Sequence, residues 1–199
     1  RIPLSVQAQS IDELIEETAA LSFPVVLKGV GLAHKSEAGL VVLNIPDEPS
    51  LIDEARKMQI ATLEFLVEEM AVGGIAELLV GITRDPTGTF LLTLGAGGVL
   101  TELLADTASL LLPASRTEIQ SALKDLKIGR LLEGYRGKPA ADMGALTDAV
   151  LAICAYAQAH AERLVELEVN PLIARVADAI AVDALIRLND VEQNKEASP

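Results

Sequence analysis

The hydrophobic positions of the first third of the chain follow two periods, one typical of β-strands and one typical of helices. Short runs of branched apolar residues are bounded by glycine, proline or polar residues, as strands are. Ser10 and Glu13 have the spacing of a capping box and predict a helix that extends to about Leu21. The predicted strands are 24–30, 39–45 and 63–70, with a second helix over 51–58. We interpret this part as one βαββαβ unit.

The pattern changes after Gly73-Gly74 to longer strands followed by helices. Ser115 and Glu118 form a second capping box, and an alanine-rich helix is predicted over 142–160. The predicted strands here are 75–83, 89–94, 109–112, 164–169 and 180–185. The sequence therefore predicts an α+β (α/β) fold with a smaller lobe over 1–69, a larger lobe over 70–188 and a polar tail over 189–199.

Composition narrows the classes of protein to which the chain could belong. Half of the 199 residues are apolar, which is enough for a sizeable core. Twenty-nine acidic residues against sixteen basic ones, with 3% aromatic residues, exclude the basic and aromatic surface of a nucleic-acid-binding protein. The longest apolar runs are too short to cross a bilayer, so no membrane association is predicted. A single cysteine, Cys154, excludes structural disulfides and favours a cytoplasmic location.

Lys28 is the first candidate for chemistry, because it lies in an otherwise apolar predicted strand. A buried ammonium group is costly without a fixed anionic partner, although a lysine at a sheet edge can also extend to solvent. The strand leads into a glycine-containing loop with His34, Lys35 and Ser36. A neutral imidazole beside a phosphate-binding lysine could act as a nucleophile toward phosphorus, or the loop could simply be solvated.

Two further groups of residues carry polar chemistry. In a strand, Glu166, Glu168 and Asn170 would share one face, and Asp183 stands among apolar residues further along. Oxygen ligands of this kind suit Mg²⁺, which takes few protein ligands, while the alternative is a solvent-facing strand. The glycine-rich turn 95–98 could form a backbone anion site or an ordinary tight turn.

Taken together in chain order, these motifs resemble the ATP-grasp domain of ADP-forming acyl-CoA synthetases, relatives of the nucleotide-binding subunit of succinyl-CoA synthetase. The residues that carry the resemblance are Lys28, His34-Lys35-Ser36, LVEEM at 66–70, ELLVGITRDP at 77–86, GAGG at 95–98, GYRGKP at 134–139, ELEVNPL at 166–172 and AVDA at 181–184. Each motif is common by itself, but the ordered set is specific and spans nearly the whole chain.

The resemblance implies a fold with two lobes that clamp a nucleotide, and ATP or ADP with Mg²⁺ as cofactors. It also implies a role for each matching residue. Lys28 and Arg84 would contact phosphate, Glu68 would hold the adenine and ribose, Glu77 would face the nucleotide, His34 would carry a phosphoryl group that Glu168 steadies, and Asn170 and Asp183 would bind Mg²⁺.

The activity implied by the resemblance is synthesis of acyl-CoA from a small carboxylic acid and CoA, through a phosphohistidine. The sequence contains no dinucleotide-type glycine fingerprint, so CoA-binding and ligase domains are expected on the same polypeptide or on a partner chain. Leu40 and Leu185 stand where the family usually has a glycine and a basic residue. These departures leave a second function open, a non-catalytic nucleotide-sensing or scaffolding module of a fused protein acetyltransferase.

Overall fold

The computed structural model describes residues 1–30, 40–59, 62, 64–98 and 105–189. The chain divides into two compact units, a first unit over Ile2–Val72 and a second unit over Gly73–Pro199 together with Arg1. Each unit has its own apolar core and its own antiparallel sheet. No helix in the described ranges is both long enough and apolar enough to cross a bilayer.

The first unit is a four-stranded sheet with two helices. Its elements are β1 (Ser5–Ala8), α1 (Ile11–Thr18), β2 (Val25–Gly29), β3 (Val41–Ile45), α2 (Glu48–Met58) and β4 (Phe65–Glu69). The strand order is β1-β4-β2-β3, and every pair is antiparallel. The observed order matches the predicted βαββαβ unit, although no range was predicted for its first strand, β1.

The caps of the two helices explain where they begin. The Ser10 hydroxyl accepts a hydrogen bond from the Glu13 amide at 3.1 Å, as predicted, but the Glu13 carboxylate accepts from the Gln9 amide at 2.7 Å rather than from Ser10. Helix α2 begins three residues before the predicted start, because Asp47 caps it by accepting from the Ser50 amide at 2.9 Å. Asp47 is therefore a helix signal that the apolar pattern did not indicate.

The second unit is built around a larger sheet. Its elements are β5 (Ala76–Arg84), β6 (Phe90–Ala96), β7 (Thr107–Leu111), α3 (Arg116–Asp125), α4 (Gly129–Leu132), α5 (Met143–Ala159), β8 (Leu164–Ala174), β9 (Ala179–Ala181) and β10 (Ala184–Leu188). The order is β10-β8-β5-β6-β7, with β9 paired to the far end of β8. All of these pairs are antiparallel, so the α+β class is confirmed.

The strand predicted over 180–185 is in fact two strands, β9 and β10, which both pair with the long strand β8. The break falls opposite Pro171, which has no amide hydrogen to donate to a neighbouring strand. The chain crosses this point at Val182 and Asp183, held by a bond from the Asn170 amide to the Asp183 carbonyl at 3.2 Å. Asp183 is therefore a connecting residue rather than part of a strand.

Candidate functional site

Lys28 and Glu68 form a buried ion pair in the first unit. Lys28 lies on β2 and Glu68 on the neighbouring strand β4, in diagonal register, and the Lys28 Nζ atom is 2.6 Å from Glu68 Oε2. The two side chains are only 10% and 13% exposed. The prediction that Lys28 needs a fixed anionic partner holds, because Glu68 is such a partner within the chain. Burial of the lysine therefore does not by itself require a bound phosphate.

The loop that contains His34 lies outside the described residues, as do Lys35 and Ser36. The described residue that follows the loop is Leu40, whose side chain is buried in the core of the first unit. Its carbonyl accepts a hydrogen bond from the Gly29 amide at 2.8 Å, next to Lys28. The leucine that replaces the glycine expected from the resemblance thus has a packing role.

Three polar side chains of the second unit are arranged around the turn at Gly95–Gly98, and they belong to Glu77, Glu168 and Asn170. Asn170 on β8 accepts a hydrogen bond from the Gly98 amide through Oδ1 at 2.9 Å. Its Nδ2 atom donates to Glu168 Oε1 at 3.4 Å, since the two residues share the solvent-directed face of β8. Glu77 enters from the adjacent strand β5, on which the turn packs.

The glycines of this turn are required by close contacts. The Gly97 amide donates to the Glu77 carbonyl at 2.8 Å, and a Cβ atom on Gly97 would lie 2.5 Å from the backbone carbon of Leu78. Gly98 has a φ of +59°, and a Cβ atom there would lie 1.8 Å from Glu77 Oε2. The first two residues of the turn 95–98 belong to β6, and the Gly98 amide that follows is engaged within the chain, because it donates to Asn170 Oδ1.

Asp183 is next to Asn170 through the backbone. Its carbonyl accepts from the Asn170 amide at 3.2 Å, and its exposed carboxylate accepts from the following Ala184 amide at 3.0 Å. The donor set of one amide oxygen and one carboxylate suits Mg²⁺, which coordinates oxygen and completes its shell with water or phosphate. Within the described ranges, no group of three or more His, Cys, Asp or Glu side chains is placed to hold a metal.

Glu166 and Arg84 are not brought together with these residues. Glu166 pairs with Arg187 on β10 at 3.0 Å. Arg84 ends β5, seven residues from Glu77, which is roughly 23 Å along a strand. The Arg84 guanidinium donates to the Ala161 carbonyl at 2.9 Å and lies over the Phe90 ring, with 5.9 Å between Cζ and the ring centroid.

Sequence reasoning missed a buried carboxylate that supports the turn. Asp106 follows the turn in the chain, is 8% exposed, and accepts from the Ile128 amide at 3.0 Å through Oδ2. Its carbonyl accepts from the Ala96 amide at 3.2 Å, which fixes the end of β6 just before Gly97. The available signal was an aspartate beside a predicted apolar strand, which is weak because such residues are common in loops.

Comparisons with known proteins agree on one family. The model of a family described as an ATP-grasp domain matches residues 1–188. The chain is 32% identical over 174 residues to acetate–CoA ligase [ADP-forming] I of Archaeoglobus fulgidus, covering 83% of this chain and 25% of that protein. It is 28% identical over 200 residues to acetate–CoA ligase [ADP-forming] II subunit beta of Pyrococcus furiosus, covering 94% and 84%. The chain spans about a quarter of the length of the first curated relatives.

Solved structures show the same similarity. Dinucleotide forming acetyl-coenzyme A synthetase 1 of Ca. Korarchaeum cryptofilum, in complex with coenzyme A, Ca-AMPCP and HgCl+, matches with a TM-score of 0.85 at 30% identity. A second structure of that protein, in complex with coenzyme A and Mg-AMPPCP, has a phosphohistidine segment pointing towards the nucleotide binding site and matches with a TM-score of 0.79 at 32% identity. Each match covers 94% of this chain and 86% of the other.

Proposed function

This chain belongs to the ATP-grasp family, and from that membership we propose that it is the nucleotide-binding module of an ADP-forming acyl-CoA synthetase. The module binds ATP or ADP with Mg²⁺. Together with CoA-binding and ligase domains, it converts a small carboxylic acid and CoA to acyl-CoA through a phosphohistidine. The ligases named among the relatives support this proposal, as does the Mg-AMPPCP complex of a similar protein.

The observation that carries the proposal is the position of Asn170 among oxygen-bearing residues of the second unit. The side-chain nitrogen of Asn170 donates to Glu168, and the backbone amide of Asn170 donates to the Asp183 carbonyl. Glu77 lies beside the glycine turn whose last amide donates to Asn170. Asn170 and Asp183 are the residues that would hold Mg²⁺. When bound, Mg-ATP supplies a phosphoryl group whose charge the metal ion offsets.

The remaining residues take the roles that the resemblance implies. Glu68 holds the adenine and ribose, and its carboxylate also keeps the Lys28 ammonium group in a fixed position on the sheet. Lys28 contacts the nucleotide phosphates from that position. A pre-oriented cation stabilises a phosphate without first losing side-chain freedom. His34 takes up the phosphoryl group, and Glu168 steadies the imidazole after transfer. Arg84, at the opposite end of β5 from Glu77, is the weakest of the proposed phosphate contacts.

CoA-binding and ligase domains are the proposed partners, on the same polypeptide or on a second chain. The relatives support both arrangements, because the chain covers 84% of a separate subunit beta but only 25% of a longer ligase. The carboxylic acid and CoA act through those domains.

Isothermal titration calorimetry tests the first part of the proposal. The chain should bind ATP with Mg²⁺ more tightly than ATP with EDTA, since Asn170 and Asp183 would hold the metal ion and the ion would offset phosphate charge. Incubated with Mg-ATP, CoA and short carboxylic acids, the chain alone should release no acyl-CoA by mass spectrometry. Absence of nucleotide binding would contradict the proposal that the chain is a nucleotide-binding module. Thioester formation by the chain alone would contradict the proposal that CoA-binding and ligase domains are needed. The second candidate, a sensing or scaffolding module, predicts nucleotide binding without turnover even after CoA-binding and ligase domains are added.

A further inference from the structure

We infer that Gly98 and Asn170 are positioning residues, which together set the direction of the Glu77 carboxylate. The inference rests on the proposed function in one respect, since it takes Glu77 as a carboxylate that faces the nucleotide. It goes beyond that function by giving a specific task to a glycine and to the amide of Asn170.

The space that a side chain on Gly98 would fill is occupied by the Glu77 carboxylate. A Cβ atom on Gly98 would lie 1.8 Å from Glu77 Oε2 and 3.0 Å from its Cδ, but 3.7 Å from its Cβ. Only the end of the Glu77 side chain is therefore in conflict with a side chain at position 98. The carboxylate lies against the turn because residue 98 is glycine.

Two hydrogen bonds hold the turn over Glu77. On one side, the Gly97 amide donates to the Glu77 carbonyl at 2.8 Å, which joins the turn to β5. On the other side, the Gly98 amide donates to Asn170 Oδ1 at 2.9 Å, which joins it to β8. Asn170 is itself oriented by donation from Nδ2 to Glu168 at 3.4 Å. The direction of Glu77 thus depends on residues of three segments.

If Gly98 had only a conformational role, Gly98→Ala should behave like a substitution at another glycine with a positive φ. A φ of +59° favours glycine, but Gly137 has a φ of +80° in the same unit, and a Cβ atom there would meet nothing within 4 Å. Gly137→Ala therefore reports the backbone strain alone. Gly98→Ala adds the displacement of a flexible carboxylate, which costs the fold little but changes where the negative charge points.

The experiment compares Gly98→Ala, Glu77→Ala and the double variant Gly98→Ala, Glu77→Ala. Gly137→Ala is the control. The Tm measured by thermal unfolding should be lower in Gly98→Ala and in Gly137→Ala than in the wild type, by similar amounts. In calorimetry, Gly98→Ala and Glu77→Ala should each weaken Mg-ATP binding by about tenfold, which is about 1.4 kcal/mol. A loss of this size lies within the range of interaction energies measured between residues in contact. The double variant should bind no more weakly than Glu77→Ala. Additive losses, or an equal loss in Gly137→Ala, would overturn the inference.

Two NMR measurements without nucleotide keep the inference separate from the proposed function. The ¹³C resonance of the Glu77 carboxyl group should shift in Gly98→Ala and stay in place in Gly137→Ala. The Gly98 amide should exchange slowly with solvent in the wild type and faster in Asn170→Ala, which removes its oxygen acceptor. An unchanged Glu77 resonance or an unchanged exchange rate would overturn the inference. If these measurements hold and the wild type binds no Mg-ATP, only the proposed function fails.

Discussion

The ammonium group of Lys28 and the carboxylate of Glu68 lie 2.6 Å apart on neighbouring strands of the first unit. Both side chains are largely buried, so each charge lacks the solvation of bulk water and depends on the other. The pair explains how a lysine is tolerated in a strand whose five residues are all buried. The ion pair also fixes the orientation of the Lys28 and Glu68 side chains, which are the two proposed nucleotide contacts of this unit.

The first prediction concerns the stability that this pair contributes. Glu68→Gln removes the carboxylate charge that faces the buried Lys28 ammonium group and should lower the free energy of unfolding by about 3 kcal/mol. The double variant Lys28→Met, Glu68→Leu should recover most of the loss, because an apolar pair needs no counter-charge. Urea unfolding followed by circular dichroism measures both. Glu54→Gln, which breaks the exposed pair with Lys57, is the control and should change nothing measurable. A similar effect of the two glutamine variants would contradict the role of burial.

A second prediction concerns the proposed metal ligands. Asp183→Asn keeps the size of the side chain but removes a charged oxygen, so Mg-ATP should bind less tightly by about 1.5–3 kcal/mol. Affinity for ATP in EDTA should stay the same, because the carboxylate acts through the metal ion. Calorimetry measures both affinities. Asp125→Asn changes another exposed aspartate of the second unit and should leave them unchanged. Equal Mg-ATP affinity in wild type and Asp183→Asn would remove Asp183 from the metal site.

His34 is the subject of the third prediction. With γ-³²P-labelled ATP, Mg²⁺ and the CoA-binding and ligase domains present, the protein should acquire a label that is lost in acid and stable in base, as phosphohistidine is. His34→Ala should still bind Mg-ATP, since the imidazole is not needed to hold the base or the metal, but acyl-CoA synthesis should be lost. Peptide mapping by mass spectrometry locates the label.

The matched control for His34 is the other histidine of the chain, His160. Its ring stacks on Tyr156, with 4.0 Å between the ring centroids, and Nδ1 is 2.8 Å from the Tyr156 carbonyl at the end of α5. His160→Ala should retain both labelling and turnover. Near-normal turnover by His34→Ala would return His34 to a solvated loop residue.

The fourth prediction is a dependence of stability on pH. Hydrogen bonds from Arg175, followed by the charges of Arg175 and Arg1, hold the pKa of Asp178 below its ordinary value. A lowered pKa in the folded state means that the ionised carboxylate stabilises the fold above the ordinary carboxyl range, and that this contribution is lost as the pH falls through the lowered pKa.

Asp178→Asn should therefore lower the Tm at pH 7 by about 1–2 °C, as expected for a partly exposed ion pair in a chain of this size. The difference between the wild type and the variant should shrink as the pH falls below the ordinary carboxyl range, because the wild-type carboxyl group becomes protonated as the pH passes its lowered pKa. Differential scanning calorimetry between pH 7 and pH 2.5 measures the difference. A constant difference over that range would mean that charge at Asp178 does not contribute.

Most elements of the fold could be predicted because their signals are local. Ser115 and Glu118 form the full capping box at α3, and Asp142 caps α5, where the side-chain oxygen and the amide are three residues apart. The polar face of β8 follows from the alternation of side chains along one strand. Family membership followed from the order of such motifs, and the family match over residues 1–188 confirms it.

The sequence by itself thus determined most of the helices and strands and the family to which the chain belongs, and it identified the residues proposed as oxygen ligands. Only the tertiary structure decided which of these residues meet. Glu68 is forty residues from Lys28, and Asn170 is 72 residues from Gly98, so both contacts depend on which strands pair and in what register. The register is set by the packing of apolar faces over the whole sheet, and a shift of one residue would turn each side chain to the opposite face. Pairing across the sheet also split the last predicted strand opposite Pro171, because this outcome depends on residues that are distant in the chain.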